Sequence, residues 1–421
     1  MKTYTDYKDS GIEWIGKIPK HWKITKLKKV AKYLIGGTPS RKNMKYFEGE
    51  NVWVSIADLN ENDVVMDSEE KITDEGIKNS NCKLVPKGSL LYSFKLTLGL
   101  ISWAGKNLYT NEAIASFLIE SEIKLNYLKY LLKVGFDNNA RENIYGAKLF
   151  NQRFLDNARI IYPPLEEQLA IANYLDETMS KINKIIENKK KQIDLLKEHR
   201  VAVISKELSL QNIQRNIPFS GIEWINTISK EYKVVKLKKI VKNKTEKCEI
   251  RSDDLKYVAL EHISQNEGKL IKASNTKDVI SSTLKFSKGD ILFGKLRPYL
   301  GKYWLAEFDG ACSGEFLVMK VANIEPDYFY LWVQSDFFVR YNDGYSYGTK
   351  MPRSSWKIAR EFPMIVPKEK HKQKDISAMI QNKINTLQES VNLITHEISK
   401  LEEYKQVLIN EAITGRIKVT N

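Results

Sequence analysis

Two stretches of this 421-residue chain place apolar residues at alternating intervals of three and four. After Tyr162-Pro163-Pro164, the positions Ala172, Leu175, Met179, Ile182, Ile186, Ile193, Leu196 and Val203 keep that spacing, with Lys189 and Arg200 filling two places in it. Near the other end Ile380, Ile384, Leu387, Val391, Ile394, Ile398, Leu401, Leu408 and Ala412 repeat it, and Lys405 is the charged break. A period near 3.5 makes a narrow apolar stripe, the mark of a coiled-coil seam rather than of an ordinary surface helix. About 40 residues of helix make a rod of roughly 60 Å. A stripe of that length needs a long partner, and the simplest is the other helix. Each follows its own globular segment, so an antiparallel pair is predicted.

The segments before the helices carry a different pattern. Short runs rich in aromatic and β-branched residues predict strands, bounded by glycine and proline. In the first segment they are Asn51–Ile56, Gly88–Phe94 and Ala113–Leu118, and in the second Lys256–Leu260, Gly289–Gly294 and Glu315–Met319. Helical stretches at Leu125–Val134 and Tyr328–Val339 interrupt them. Each segment is therefore expected to be a mixed α/β globule.

The two segments are copies. Ser10-Gly11-Ile12-Glu13-Trp14-Ile15 returns as Ser220-Gly221-Ile222-Glu223-Trp224-Ile225, and the register holds through Lys26-Leu27-Lys28-Lys29 and Lys236-Leu237-Lys238-Lys239. A period of about half the chain is far beyond the 20–50 residues of a solenoid unit, so it denotes a duplicated domain. Two like domains suit a ligand that is itself roughly two-fold, with duplex DNA the first candidate.

Composition narrows this reading without deciding it. The chain holds 67 basic and 52 acidic side chains, a formal charge of +15, and 42% hydrophobic residues. The excess points to a polyanion, which could be nucleic acid, a membrane surface or the ribosome. Cys82, Cys248 and Cys312 are too far apart for a disulfide framework or zinc spacing. With no apolar signal core after Met1 and no run of about 18 apolar residues, a soluble cytoplasmic protein is expected.

Catalytic motifs are missing from the sequence. It has no Gly-x-x-x-x-Gly-Lys-[Ser/Thr] loop, no Gly-x-Gly-x-x-Gly between a strand and a helix, and no Asp/Asn-Pro-Pro-Tyr/Phe. His21, His199, His262, His371 and His396 have no cysteine or carboxylate at ligand spacing. Neither catalytic nor metal-binding residues are assigned.

The candidates for DNA contact lie in loops. In Gly36-Gly37-Thr38-Pro39-Ser40-Arg41-Lys42, glycines that let backbone approach a phosphate precede the donors of Thr38, Ser40, Arg41 and Lys42. Gly146–Phe154 and Gly348–Trp356 are equivalent and hold Lys148, Asn151, Gln152 and Arg153 in one copy, Lys350, Arg353 and Ser354 in the other. Lysine is a point charge for phosphate, whereas Arg, Asn and Gln can read base edges. Lys295, Arg297 and Tyr299 form a further set, with Lys95 in its looser partner Ser93–Thr97. A self-sufficient DNA enzyme and a protein-binding scaffold remain as rival classes.

Three motifs in order give a resemblance that covers essentially the whole chain: Gly11–Gly16 with Pro19-Lys20-His21-Trp22, Pro163-Pro164-Leu165-Glu166-Glu167-Gln168, and Leu401–Ile417. Together they resemble the specificity subunit of Type I restriction–modification enzymes. Copy two departs at Val366–Gln373, which lacks the double proline and most of the acidic pattern. The resemblance implies target recognition domains at 1–162 and 213–368, separated by spacer helices at 163–212 and 369–421. Each domain would read one half of a bipartite, asymmetric double-stranded DNA target. Helix faces around Glu166–Gln168 and Tyr404–Lys405 would dock two modification subunits, which methylate adenine and carry S-adenosylmethionine. Two restriction subunits would supply ATP and Mg²⁺ chemistry, and no cofactor would be bound by this chain.

Overall fold

The structure is a computed structural model that describes residues 2–12, 15–60, 63–95, 98–135, 141–142, 148–149, 152–210, 228, 230–249, 255–275 and 282–419. Asn151, Glu13, Trp14 and the second copy of the repeated motif, 220–225, lie outside the described residues. Two compact units divide the chain: Met1–Ile186 with Ser399–Asn421, and Glu187–Ile398. The units cut through both long helices.

In the first unit a five-stranded sheet runs in the order Tyr33–Ile35, Ile114–Phe117, Leu90–Ser93, Ile101–Ala104, Val64–Val65. Its two central strands are buried at every position, which is why they read as continuous apolar runs rather than as alternation. A three-stranded sheet (Tyr109–Thr110, Asn51–Val54, Lys71–Ile72) closes a core of Val52, Val54, Val85, Leu91, Leu108 and Ile114.

The second unit repeats the plan. One sheet runs Val241–Lys244, Phe316–Val321, Ile291–Gly294, Tyr303–Leu305, and the other Ser274–Asn275, Lys256–Val258, Gly310–Ser313, Thr283–Phe286. Details recur with it. Gly88 and Gly289 both sit at positive φ (83° and 88°), at the turn into the central strand, and their N–H groups donate to Ala104 and Ala306. Only glycine adopts that conformation without strain.

Helix Leu125–Gly135 matches expectation. The stretch read as a helix over Tyr328–Val339 is instead two helices, Pro326–Gln334 and Asp336–Gly344. Ser335 breaks it, with an extended backbone (ψ 149°) and a hydroxyl that accepts from the Phe338 N–H. An N-cap of this kind satisfies one of the free donors at the start of the second helix.

The long helices span Leu165–Leu210 and Lys370–Thr414. In the first unit Ala172, Leu175, Met179, Ile182 and Ile186 are buried, as are Leu408 and Ala412. In the second unit Lys189 pairs with Glu397 at 2.7 Å and Glu207 with Lys383 at 2.7 Å. Rising numbers on one helix thus meet falling numbers on the other, so the segments there run antiparallel. Further along, both helices also pack on the second globule. Ile204 and Leu208 join Trp332, Phe338, Ile376 and Ile380 in the core of the second globule. Arg200, a charged residue at a seam position, donates to the Asn266 carbonyl at 2.9 Å and to Gln334 Oε1.

One buried glutamine anchors each helix to its globule. Gln168 donates to the Pro163 carbonyl (2.9 Å) and accepts from the Lys124 N–H (2.9 Å). Gln373 donates to the Pro367 carbonyl (3.0 Å) and accepts from the Glu325 N–H (2.9 Å). Each therefore ties the last strand of its globule to the start of an internal helix. The preceding residue carries the opposite charge in the two copies: Glu167 takes hydrogen bonds from Tyr4 (2.6 Å) and Trp22 (2.9 Å) and pairs with His21, whereas Lys372 pairs with Glu231 at 2.8 Å.

Candidate nucleic-acid interface

The second unit joins two loops that the sequence suggests separately. The Lys295 N–H donates to the Glu315 carbonyl (2.8 Å), the Ser354 N–H to the Lys295 carbonyl (2.9 Å), and the Arg297 N–H to the Pro352 carbonyl (2.7 Å). Residues 294–299 and 347–354 therefore form one surface. The 347–353 turn is closed by reciprocal bonds between Tyr347 and Arg353 (3.2 and 3.0 Å), with Gly348 at φ 97°. Lys350 and Met351 stand at its tip, exposed. Arg297 holds a left-handed backbone (φ 49°), rare for a residue with a side chain, and it is exposed. Such strain persists only where the surroundings fix it; here the hydrogen bond to the Pro352 carbonyl does so, against the extended preference that the following Pro298 imposes.

Charge on this surface centres on Glu315. Its Oε1 accepts from Arg353 Nη2 at 2.6 Å. The Lys295 amine, half-buried nearby, is pulled below the ordinary lysine range by desolvation, an effect that Glu315 opposes and Arg353 reinforces. Tyr299, Tyr345 and Tyr347 are 48, 65 and 60% exposed, so aromatic faces accompany the cations. Ser354 is different. It is 1% exposed, and its hydroxyl donates to Asn342 Oδ1 at 2.7 Å. It belongs to the support of the turn and cannot contact DNA from there.

In the first unit Gly37 also proves structural. It is buried, and a Cβ at that position would lie 2.7 Å from the Asn81 carbonyl carbon. A Cβ on Gly36 would lie 1.9 Å from the Thr110 oxygen. The glycines admit neighbouring backbone, rather than a phosphate. Thr38 donates to Glu112. That hydroxyl holds the Glu112 carboxyl below its ordinary range against the effect of burial, and Lys95 adds to the effect, so the 36–42 loop and Lys95 share one acid. Arg41 uses both terminal nitrogens on Glu70 (2.7 and 2.7 Å) and lies 4.6 Å from the Phe47 ring centroid. Ser40, Lys42, Lys95, Gln152 and Arg153 are exposed. Lys148 lies in the strand Lys148–Leu149, paired with Arg141–Glu142.

By strand register, Lys295 corresponds to Phe94 rather than to Lys95: the Phe94 N–H donates to Ala113 as that of Lys295 does to Glu315. The framework is thus common to both copies while the loop chemistry differs. Sequence reasoning missed Glu70, Glu112 and Glu315, since single acids in loops carry no spacing signal. Among the described residues no group of three or more His, Cys, Asp or Glu could hold a metal ion, and no helix is long and apolar enough to cross a membrane.

The family model of the Type I restriction modification DNA specificity domain matches residues 19–195. The chain is also similar to the Type I restriction enzyme MjaVIII specificity subunit of Methanocaldococcus jannaschii, at 22% identity over 96% of this chain and 95% of that protein. For the MjaIX specificity subunit of the same organism identity is 31%, over 46% of this chain and 44% of that protein, so the match spans less than half of its length. The EcoDI specificity subunit of Escherichia coli is 23% identical over 96% of this chain and 90% of its own. The resemblance to Type I specificity subunits that the motifs carry therefore extends along nearly the whole chain. A solved structure from work on complex assembly and conformational transition of the type I R-M system shares the fold, with a TM-score of 0.64, 12% identity, and coverage of 95% of this chain and 99% of that one.

Proposed function

We propose that this chain is the non-catalytic DNA-specificity subunit of a Type I restriction–modification complex. Each globule would read one half of a bipartite, asymmetric target. The observation that carries this reading is a duplicated framework with unlike loops. The turns at Gly88 and Gly289 and the anchors at Gln168 and Gln373 repeat, while the described loops differ: one copy sets Arg41 on Glu70 and Phe47, the other groups Lys295, Glu315 and Arg353. One scaffold with two chemistries suits two different half-sites. Base edges carry the sequence information, and phosphate contacts position the reader.

The long helices would set the separation of the half-sites and dock two modification subunits carrying S-adenosylmethionine. Two restriction subunits would bring ATP and Mg²⁺. Glu167 and Gln168 face inward, so docking in the first unit falls to the outward residues Leu165, Leu169, Tyr404 and Val407, all exposed. Mapping methylated adenine in the genome of a host expressing the chain with its partners tests the proposal. A bipartite motif with an unspecified gap is expected. Methylation or cleavage of DNA by the purified chain alone would overturn it.

A further inference from the structure

We infer that Arg353 reads a guanine in the major groove, and that Glu315 positions it, so that the half-site addressed by the second unit contains a G·C pair opposite the 347–353 turn. The inference rests on the proposal that this unit reads DNA.

Three observations lead to it. First, the backbone of Arg353 is fixed on two sides, by reciprocal hydrogen bonds with Tyr347 and by a bridge to Leu296. The position from which the side chain starts is therefore set before any ligand arrives, which lowers the entropy lost on binding. Second, among the described residues the guanidinium is held at one nitrogen, by Nη2 to Glu315 Oε1. The two hydrogens of Nη2 belong to different edges of the planar group. One bond therefore leaves a complete two-donor edge open, and the side chain remains 44% exposed. Third, Lys350 stands exposed at the tip of the same turn, where an ammonium can meet a phosphate while the arginine reaches a base. A two-donor guanidinium edge matches the O6 and N7 acceptors of guanine, which no other base edge presents together. Glu315 acts here as a positioning residue: its Oε2 is buried without a hydrogen-bond partner, so the carboxylate holds the arginine rather than the base.

The test uses the full chain assembled with its modification subunits and duplexes carrying the target mapped by methylation. Guanines are replaced singly by 7-deazaguanine, which lacks the N7 acceptor. The wild-type complex is expected to lose about tenfold in affinity at one guanine of one half-site. Arg353→Ala should show a similar loss and become indifferent to that replacement. Arg353→Lys keeps the charge and the turn but lacks the two-donor edge, so it should behave like the alanine variant at that guanine. Glu315→Gln should bind with discrimination reduced at this pair alone. Retained guanine discrimination in Arg353→Lys would overturn the bidentate contact. Uniform weakening across all sequences by Arg353→Ala would make Arg353 a phosphate contact and overturn the inference. Tighter binding of every sequence by Glu315→Gln would show that the acid sequesters the arginine, which also overturns it. A wild-type complex without sequence preference would remove the underlying reading together with the inference.

Discussion

Replacing Gln373 with leucine isolates the device that ties the second long helix to its globule. The amide is 3% exposed and makes two bonds, from Nε2 to the Pro367 carbonyl at 3.0 Å and to Oε1 from the Glu325 N–H at 2.9 Å. Leucine fits the volume but supplies neither partner. A buried carbonyl and a partly buried N–H are then left unsatisfied, at about 1–3 kcal/mol for a fully buried group and less for the second. The added apolar surface returns only part of this, so a net loss of about 2–4 kcal/mol is expected. A domain stability of about 5–15 kcal/mol makes that a large fraction. Hydrogen exchange by mass spectrometry on the full chain localises the effect, because each unit opens with its own free energy. Protection should fall at the starts of the helices Pro326–Gln334 and Lys370–Thr414 and at the strand Pro363–Pro367, while the turn at Gly88 stays as before. Gln168→Leu should give the mirror result in the first unit. A loss below about 0.5 kcal/mol, the range of ordinary surface changes, would refute the argument that these bonds anchor the helices.

Glu70→Ala releases Arg41 from the carboxylate that holds both of its terminal nitrogens, so nonspecific affinity for duplex DNA should rise and the salt slope should steepen by about one, as titrated against ionic strength. The carboxyl of Glu167 is pushed up by burial but held net below 4.5 by the hydrogen bonds of Tyr4, Trp22 and His21. A depressed carboxylate stabilises above its unfolded value, and that stability is lost as pH falls through the folded value. Exchange protection of residues 2–12 should therefore drop as pH falls below 4.5, and Glu167→Gln should flatten the dependence. Leu169→Asp or Tyr404→Asp should abolish co-purification with the modification subunits while leaving the melting of the isolated chain unchanged, because both side chains are exposed in the first unit.

Much of the framework was legible because it rests on periodicity. The duplicated motif, the central strands and the long helices follow from apolar spacing, which burial enforces over many residues at once. The split at Ser335 was hidden because both halves are apolar, and one cap overrides the pattern locally. At Val366–Gln373 the sequence departs from the acidic pattern of Pro163–Gln168, yet the structure restores the equivalence. Gln373 keeps the bonds of Gln168, and the reversed charge of Lys372 is answered by Glu231 where the first copy has His21. A comparison of single positions sees two mismatches there, and only the pair is preserved. In the candidate interface the cations were visible while the carboxylates that aim or occupy them were not. Partners such as Arg41 and Glu70, or Arg353 and Glu315, are fixed by folding rather than by spacing along the chain. The glycines at 36 and 37 misled for a related reason, since close approach of another strand and close approach of a phosphate leave the same mark in a sequence.

Each globule begins and ends with strands that lie side by side. Lys23–Lys26 pairs antiparallel with Arg159–Tyr162, and Tyr232–Lys236 with Pro363–Pro367. Everything between such a pair leaves and returns at the same place, within one hydrogen-bonded step of about 5 Å. An exchange of genetic material with its ends in these strands would replace a whole reader while the incoming and outgoing backbone kept its position. The chain is thereby organised as a holder with two sockets. New combinations of half-sites could arise by shuffling existing inserts, without any reader having to evolve its contacts anew.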